Sequence, residues 1–290
     1  MSKIAILTDS SCDMPQEMAE KYGIDIMSFH ILLDDVDYVE RESCTNTEFY
    51  DKMRLSKGVP STAAITPIQF CEKYCQYVDE GYTDVIHVPI NKSGSSTYNN
   101  ALMAQGMLRE ERPEHHMKIH LLDPHTYSMV FGWYLCEMAR KLKNGAEISH
   151  VIQEFEKQMN CMEIVLGPYS LKQMKKSGRI SAAAAVMGEL MGVRPIITLI
   201  DGKTKVESKV RGDDKVVPAM IELCKKRADG VENFDYMIGH TNIKQAEDLE
   251  KACRKAFGKA PLVVFELGGV VSANTGPDTV ALVYTGHPRG

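Results

Sequence analysis

The chain has 290 residues, of which 44% are hydrophobic and 25% are charged, as in ordinary soluble globular proteins. Its length exceeds the size at which a single hydrophobic core usually stops growing, so we expect two domains. The formal net charge of −5, with both signs interspersed, argues against a nucleic-acid-binding protein, which would need a basic face. No apolar run reaches the roughly 18 residues of a membrane-spanning helix, so we expect no stable insertion into a membrane.

The first half of the chain predicts alternating strands and helices. Apolar runs that end in turn residues predict strands, and apolar residues at helical spacing predict helices. The predicted strands cover residues 3–11, 24–35, 83–90 and 117–123, and the predicted helices cover residues 14–23, 45–57, 65–82, 96–111, 126–143 and 147–159, with a loop at 58–67. This alternation is typical of a parallel sheet with helices on both faces, an α/β/α architecture.

The second half predicts hairpins with helices between them. Residues 193–210 predict two strands around Asp201-Gly202, a strong hairpin signal. The other predicted strands lie at 163–167, 234–240, 261–276 and 278–286, and the predicted helices lie at 171–178, 180–191, 213–228 and 243–258. We therefore expect a smaller α/β domain with a mixed sheet and helices on one side. The predicted domains are residues 1–160 and 161–290.

The stretch NKSGSSTYNN (91–100) places several small hydroxyl side chains between a predicted strand and a predicted helix. The first N–H groups of a helix lack internal partners and favour an anion. Ser95, Ser96 and Thr97 add neutral donors to this position. The stretch lacks the lysine of a phosphate-binding loop, so it favours a single carboxylate over a nucleotide. The alternative interpretation is that these residues only cap the helix.

A second loop, GVPSTAAITP (58–67), carries Thr62 just before the next predicted helix. Loops at the carboxyl ends of parallel strands converge on one edge of the sheet, where ligands bind. Thr62 and Ser95 are therefore predicted to approach each other at that edge. Asp9 and Ser10 end the first predicted strand and are expected on the same edge.

Several segments, in this order along the chain, resemble signatures of the DegV family. TDSSCDMP resembles the family's T-D-S-S-x-D-[LM]-P opening, PSTAAITPIQF resembles P-x-T-S-Q-P-S-P-x-x-F, and KSGSSTYNNA resembles S-G-L-S-G-T-Y-x-x-A. Further matches are SGRIS (177–181), RPIITLIDGK (194–203), KVRG (209–212) and NTGPDT (274–279). The matches span nearly the whole chain.

The resemblance implies a bacterial fatty-acid-binding protein with two α/β domains and a buried acyl chain such as palmitate, stearate or oleate. It assigns the carboxylate-binding roles to Thr62 and Ser95. It also implies that a partner, a fatty acid kinase, can phosphorylate the bound fatty acid to an acyl phosphate. A tail of about sixteen carbons gains on the order of 10 kcal/mol on burial, at about 0.8 kcal/mol per methylene. The 17 methionines and the small-residue run 182–188 are candidates to shape a narrow apolar tunnel.

The sequence departs from the family pattern at two places. Asn274 stands where family members that serve the kinase carry a histidine, and it can donate a hydrogen bond but cannot carry a proton. Alanines and an isoleucine follow Thr62 in place of the family's S-Q-P. These changes favour retained fatty-acid binding and weaken the expectation of acyl-phosphate formation. Asn274 is a further candidate head-group contact, and Arg211 and Arg179 are candidate partner contacts.

The eight cysteines are scattered, with no Cys-x-x-Cys pair, so the sequence predicts no metal site. Scattered thiols are typical of a reducing compartment, and we expect a cytoplasmic protein without a cofactor.

Two other functions stay open at the level of sequence. A hydrolase or phosphotransferase would use the loop hydroxyls together with Asp9, Asp123 and His125. No G-x-S-x-G elbow or other nucleophile pattern supports this alternative, so no catalytic residue is predicted. A regulatory interaction module would hold lipid only as a structural filler, and the sequence does not separate it from a carrier.

Overall fold

The computed structural model describes residues 3–178 and 192–289. The strands are β1 (Ile4–Asp9), β2 (Ile24–Met27), β3 (His30–Leu33), β4 (Val36–Val39), β5 (Ser61–Ala63), β6 (Asp84–Val88), β7 (Lys118–Leu121), β8 (Met162–Pro168), β9 (Val193–Ile200), β10 (Lys203–Arg211), β11 (Tyr236–His240), β12 (Val264–Glu266) and β13 (Thr279–Thr285). The helices are α1 (Gln16–Tyr22), α2 (Asn46–Leu55), α3 (Pro67–Asp79), α4 (Thr97–Glu111), α5 (Met129–Lys143), α6 (Ile148–Met159), α7 (Lys172–Ser177), α8 (Val216–Arg227), α9 (Ile243–Phe257) and α10 (Gly269–Thr275). The predicted helix at 180–191, the run 182–188 and Arg179 lie outside the described residues.

The N-terminal domain is built on a parallel sheet with the strand order β2-β1-β6-β7. Alternate residues of β1 point to opposite faces, because the side-chain period of a strand is two. Ile6 packs with buried residues of α1, α5 and α6, whereas Ala5 and Leu7 pack with those of α2, α3 and α4. The predicted parallel sheet with helices on both faces is confirmed.

The C-terminal domain is built on a mixed sheet with the order β10-β9-β8-β13-β11-β12, in which β11 and β12 pair in parallel and the other neighbours pair antiparallel. Helices α8 and α9 cover one face, where they bury Val165, Val280 and Leu282. The opposite face belongs to the same apolar cluster as α5 and α6 of the N-terminal domain. The predicted mixed sheet and the hairpin at Asp201-Gly202 are therefore confirmed, and we propose the domain boundary at residues 160 and 161.

Two parts of the fold differ from the sequence-based expectation. The predicted strand region 24–35 divides into β2 and β3, and β3 is the middle strand of a small antiparallel sheet, β4-β3-β5. Thr62 consequently lies on β5, opposite Ile31, and not in the predicted loop. A three-residue strand carries no detectable period, so its pairing with a distant strand is invisible in sequence.

The predicted strand-rich segment 261–276 also contains a helix, α10, after the short strand β12. The apolar residues of this segment suit either structure, and the helix begins at a glycine pair that breaks the strand. A distant residue caps the first turn of this helix, because the Val270 N–H donates a hydrogen bond to a carboxylate oxygen of Glu40 at 2.8 Å. This contact with a residue 230 positions away fixes the helix in a way that no local pattern shows.

Candidate ligand-binding cavity

A cavity of about 340 Å³ lies between the C-terminal sheet and the loops at the carboxyl edge of the N-terminal sheet. This volume is within the range of about 300–1,000 Å³ that is usual for pockets that take small organic molecules. The polar or glycine positions of its wall are Thr62, Ser93, Gly94, Ser95, Ser96, Tyr127, Ser128, Gly178, Gly202, Asn274 and Thr275. None of the wall residues in the described ranges carries a formal charge.

The apolar part of the wall is made mainly by the inner face of the C-terminal sheet. Ile164 and Leu166 of β8 and Ala281 and Val283 of β13 face the cavity, while the residues between them face α8 and α9. The other apolar wall residues are Phe29, Ala64, Ile90, Val130, Leu199, Phe265, Leu267, Val270 and Val271. No methionine occurs among the wall residues in residues 3–178 and 192–289, so within these ranges the expectation of a methionine-shaped tunnel is wrong.

Ser95 both supports the start of α4 and faces the cavity. Its Oγ accepts a hydrogen bond from the Thr97 N–H at 3.2 Å and lies 2.8 Å from Thr97 Oγ1. When the buried Thr97 hydroxyl is the donor of the second contact, Ser95 keeps its own hydroxyl hydrogen for a ligand. The capping and ligand-binding interpretations of this serine are therefore compatible.

Thr62 lies in the wall of the same cavity as Ser95. The two elements are tied together, since the Asn100 side chain of α4 donates to the backbone carbonyl of Ile65 at 2.8 Å. The geometry thus brings the two predicted hydroxyls to one cavity from separate segments of the chain.

The remaining candidate residues have different positions. Asn274 lies in the cavity wall on α10, and its amide nitrogen donates to the Val270 carbonyl at 2.9 Å. Arg211 is exposed at the end of β10 and does not belong to the described cavity wall.

The turn of the β9–β10 hairpin belongs to the C-terminal domain and packs against residues 91–97 of the N-terminal domain, which we call the hydroxyl loop. Gly202 has φ 71°, and a Cβ atom there would lie 2.2 Å from Asn91 Nδ2 and 2.5 Å from Ser93 Oγ. A glycine is therefore required both by the backbone and by the close approach of the two domains. Asn91 in turn holds the loop, because its Oδ1 accepts from the Ser93 N–H at 2.8 Å.

Three buried carboxyl groups lie directly behind the wall. Asp9 accepts a hydrogen bond from the Ile90 N–H at 2.7 Å, Asp13 accepts one from the Ser128 hydroxyl, and Glu40 accepts one from Val270 N–H. Each of these donors belongs to a cavity-wall residue. Asp9 was predicted at this edge, whereas Asp13 and Glu40 were missed. The second acid of TDSSCD was a usable signal, but nothing around Glu40 distinguishes it from a surface acid.

Burial raises the pKa of all three carboxyl groups. The pKa of Asp9 rises from 3.8 to about 7 through burial, against the opposing effect of its hydrogen bonds with Ser11 and Ile90. The pKa of Asp13 is held well above its usual range by burial and then by the negative charge of Glu40. The wall is therefore supported by three buried acids whose pKa values lie above their ordinary ones.

The raised pKa of Asp9 makes folding stability depend on pH. The folded state binds more protons than the unfolded state between about pH 4 and 7, so the free energy of unfolding should fall as the pH rises through this window. Asp9→Asn should remove this part of the dependence. Urea unfolding of both proteins from pH 4 to 8 measures the difference, and parallel pH profiles would contradict the assignment.

Asp123 and His125, the other candidates for catalysis, lie outside the described cavity wall. The His125 N–H donates to Asp123 Oδ1 at 3.0 Å, and its ring Nδ1 lies 3.4 Å from Oδ2 of the same carboxylate. His125 is exposed, and the pair forms a local turn. Within the described ranges, no group of three or more His, Cys, Asp or Glu side chains is arranged to hold a metal ion.

An apolar cavity edged with neutral hydroxyl groups has the chemistry of a pocket for a small amphiphile. The model of a family described as "uncharacterised protein, DegV family" matches residues 3–286, and the chain belongs to this family. A DegV domain-containing protein of Clostridium perfringens is 28% identical over 293 residues, covering 98% of this chain and 99% of that protein. One of Staphylococcus aureus is 28% identical over 291 residues, covering 98% of both.

Solved structures share the fold over nearly the whole chain. A fatty-acid-binding DegV family protein of Streptococcus agalactiae superposes with a TM-score of 0.85 at 26% identity, covering 99% of this chain and 100% of that one. A stearic-acid-binding protein of Eubacterium ventriosum gives a TM-score of 0.89 at 23% identity, covering 99% and 98%. The predicted two-domain DegV fold is confirmed. Among the described helices, none combines the length and apolar character needed to span a bilayer.

Proposed function

We propose that this protein binds one long-chain fatty acid, such as palmitate, stearate or oleate, with its tail in the cavity and its carboxylate on Thr62 and Ser95. The observation that carries the proposal is that these two hydroxyls belong to the wall of one mainly apolar cavity. The names of the Streptococcus agalactiae and Eubacterium ventriosum proteins, which specify fatty acid and stearic acid, support the same ligand class.

The energetics of this complex are divided between tail and head group. Burial of about sixteen carbons contributes on the order of 10 kcal/mol before the costs of association. The head group has to avoid becoming an unpaired charge in an apolar site, for which a few hydrogen bonds suffice. Neutral hydroxyl donors meet this need.

We propose a carrier and not an enzyme. Within residues 3–178 and 192–289, the hydrogen bonds of Ser95 run to Thr97, and no histidine or carboxylate of these ranges is hydrogen-bonded to its Oγ as a base. The Asp9 carboxyl group accepts hydrogen bonds from the backbone N–H groups of Ser11 and Ile90, a structural role and not that of a base for Ser95. All eight cysteines are free thiols, which supports the cytoplasm as the compartment.

Presentation of the fatty acid to a partner kinase is an extension of this proposal that rests on the family resemblance. Arg211 is exposed on the C-terminal domain and suits a surface contact. Asn274 lies in the wall, and we propose it as a further head-group contact, although one of its N–H groups donates to the Val270 carbonyl and it cannot carry a positive charge.

Removal of either hydroxyl should weaken binding of palmitate to the delipidated protein. A hydrogen bond to a charged group contributes about 1.5–3 kcal/mol, so Thr62→Val and Ser95→Ala should each raise Kd by about ten- to 150-fold in calorimetric titrations. Ser61→Ala is the matched control, because Ser61 is the neighbouring residue on β5 and lies outside the cavity wall. Wild-type affinity in both cavity variants would overturn the head-group assignment.

A further inference from the structure

Tyr127 is a wall residue that the sequence did not single out. Its phenol lies against the hydroxyl loop, since a Cβ atom on Gly94 would lie 2.3 Å from its oxygen and 2.7 Å from Cε1. Contacts this short do not occur, so position 94 has to be a glycine for the ring to lie where it does. The phenol oxygen is thereby placed over the backbone one residue before Ser95.

The backbone next to Tyr127 is strained. Ser128 has φ 68° and ψ −162°, a region that is otherwise almost confined to glycine and costs about 1–3 kcal/mol. Two hydrogen bonds hold Ser128 in this conformation. Its N–H donates to the Ser11 carbonyl at 2.9 Å, and its hydroxyl donates to the buried Asp13 carboxyl group. Strain that the surroundings maintain in this way is characteristic of sites where a side chain has to be aimed.

The composition of the wall shows what a phenol can add there. The described wall residues carry no formal charge, so these residues offer a bound anion only neutral donors. A carboxylate has about four acceptor positions, whereas Thr62 and Ser95 provide one hydroxyl hydrogen each. A phenol is more acidic than an alkyl alcohol, with an ordinary pKa near 10, and is correspondingly the stronger donor to an anion.

We propose that Tyr127 is a specificity-determining residue whose phenol, resting on Gly94, is a third donor to the head group and selects fatty acids over uncharged fatty alcohols. The inference rests on the proposed function and names the chemistry that its head-group site prefers. Bonds to a charged acceptor are worth more than bonds to a neutral one, so a third donor favours the acid.

Tyr127→Phe, which removes one oxygen and keeps the ring, provides the test. Binding of palmitate should weaken about thirtyfold and binding of 1-hexadecanol about threefold, so the ratio of the two affinities should fall about tenfold. Tyr82→Phe is the control, because Tyr82 packs at the edge of the N-terminal core, outside the cavity wall. Gly94→Ala should lower the same ratio by displacing the phenol, and adding it to Tyr127→Phe should change the ratio little further.

The outcomes are distinguishable. A Tyr127→Phe variant with an unchanged acid-to-alcohol ratio overturns this inference, whether both affinities stay the same or both fall equally, as a merely structural role would require. In both of these cases, binding of palmitate by the wild-type protein would still support the proposed function. A wild-type protein that binds neither ligand overturns the proposed function itself.

Discussion

Replacement of Ala281 by phenylalanine is expected to weaken binding of stearate about two hundredfold. Ala281 lies on the central strand β13, with its side chain directed into the cavity from the apolar wall. If the ring displaces about four methylene groups, at about 0.8 kcal/mol each, the loss is about 3 kcal/mol. Calorimetric titration with fatty acids of graded length measures it.

The dependence on chain length separates occlusion from misfolding. The affinity for decanoate should fall much less than that for stearate, because a shorter tail still fits beside the ring. Leu282→Met is the matched control, since Leu282 is the next residue on β13 and packs with α8 and α9 on the other face. An equal loss for all chain lengths, or unchanged stearate binding, would contradict the location of the tail.

Replacement of Glu163 by alanine is expected to destabilise the C-terminal domain by about 3 kcal/mol. The Glu163 carboxylate is buried and accepts bonds from Arg227 Nε at 2.5 Å, Arg227 Nη2 at 3.1 Å and the Tyr284 hydroxyl at 2.7 Å. Its removal leaves a half-buried guanidinium and a buried phenol without these acceptors. Calorimetry should show unfolding of the domain several degrees lower.

The matched control is Glu137→Ala on α5. Glu137 also pairs with an arginine, Arg140, at 2.7 Å, but the arginine side chain is 50% exposed, and such pairs contribute about 0–1 kcal/mol. At temperatures where both variants are folded, palmitate affinity should stay near wild type, because Glu163 points away from the cavity wall. A Glu163→Ala protein as stable as Glu137→Ala would refute the role of this buried pair.

The parts of the fold that the sequence predicted are those with strong local signals. Asp201-Gly202 forms the turn between β9 and β10, as its sequence pattern indicated. The strand β5 and the helix α10 could not be predicted in the same way. Each is fixed by a partner far away in the chain, Ile31 for Thr62 and Glu40 for Val270.

The residues of the candidate site also differ in whether a local sequence pattern identifies them. Thr62 and Ser95 were identifiable because small hydroxyl residues cluster at predicted strand and helix ends, where ligands collect. Tyr127 and Glu40 were not, because a tyrosine after a strand and an acid before an arginine have no distinctive pattern. Their positions follow from tertiary contacts, the absence of a side chain at Gly94 in one case and the approach of α10 in the other.

The most direct test of the central claim is a ¹³C NMR spectrum of the delipidated protein with palmitate labelled at its carboxyl carbon. We expect one bound signal per chain, distinct from that of free palmitate, shifted in the Thr62→Val and Ser95→Ala variants. Stearate labelled in the same way should give a corresponding bound signal that is lost or strongly reduced in Ala281→Phe. A wild-type spectrum with only the free signal, or a bound signal that none of these substitutions changes, would contradict a carboxylate held by these two hydroxyls above a buried tail.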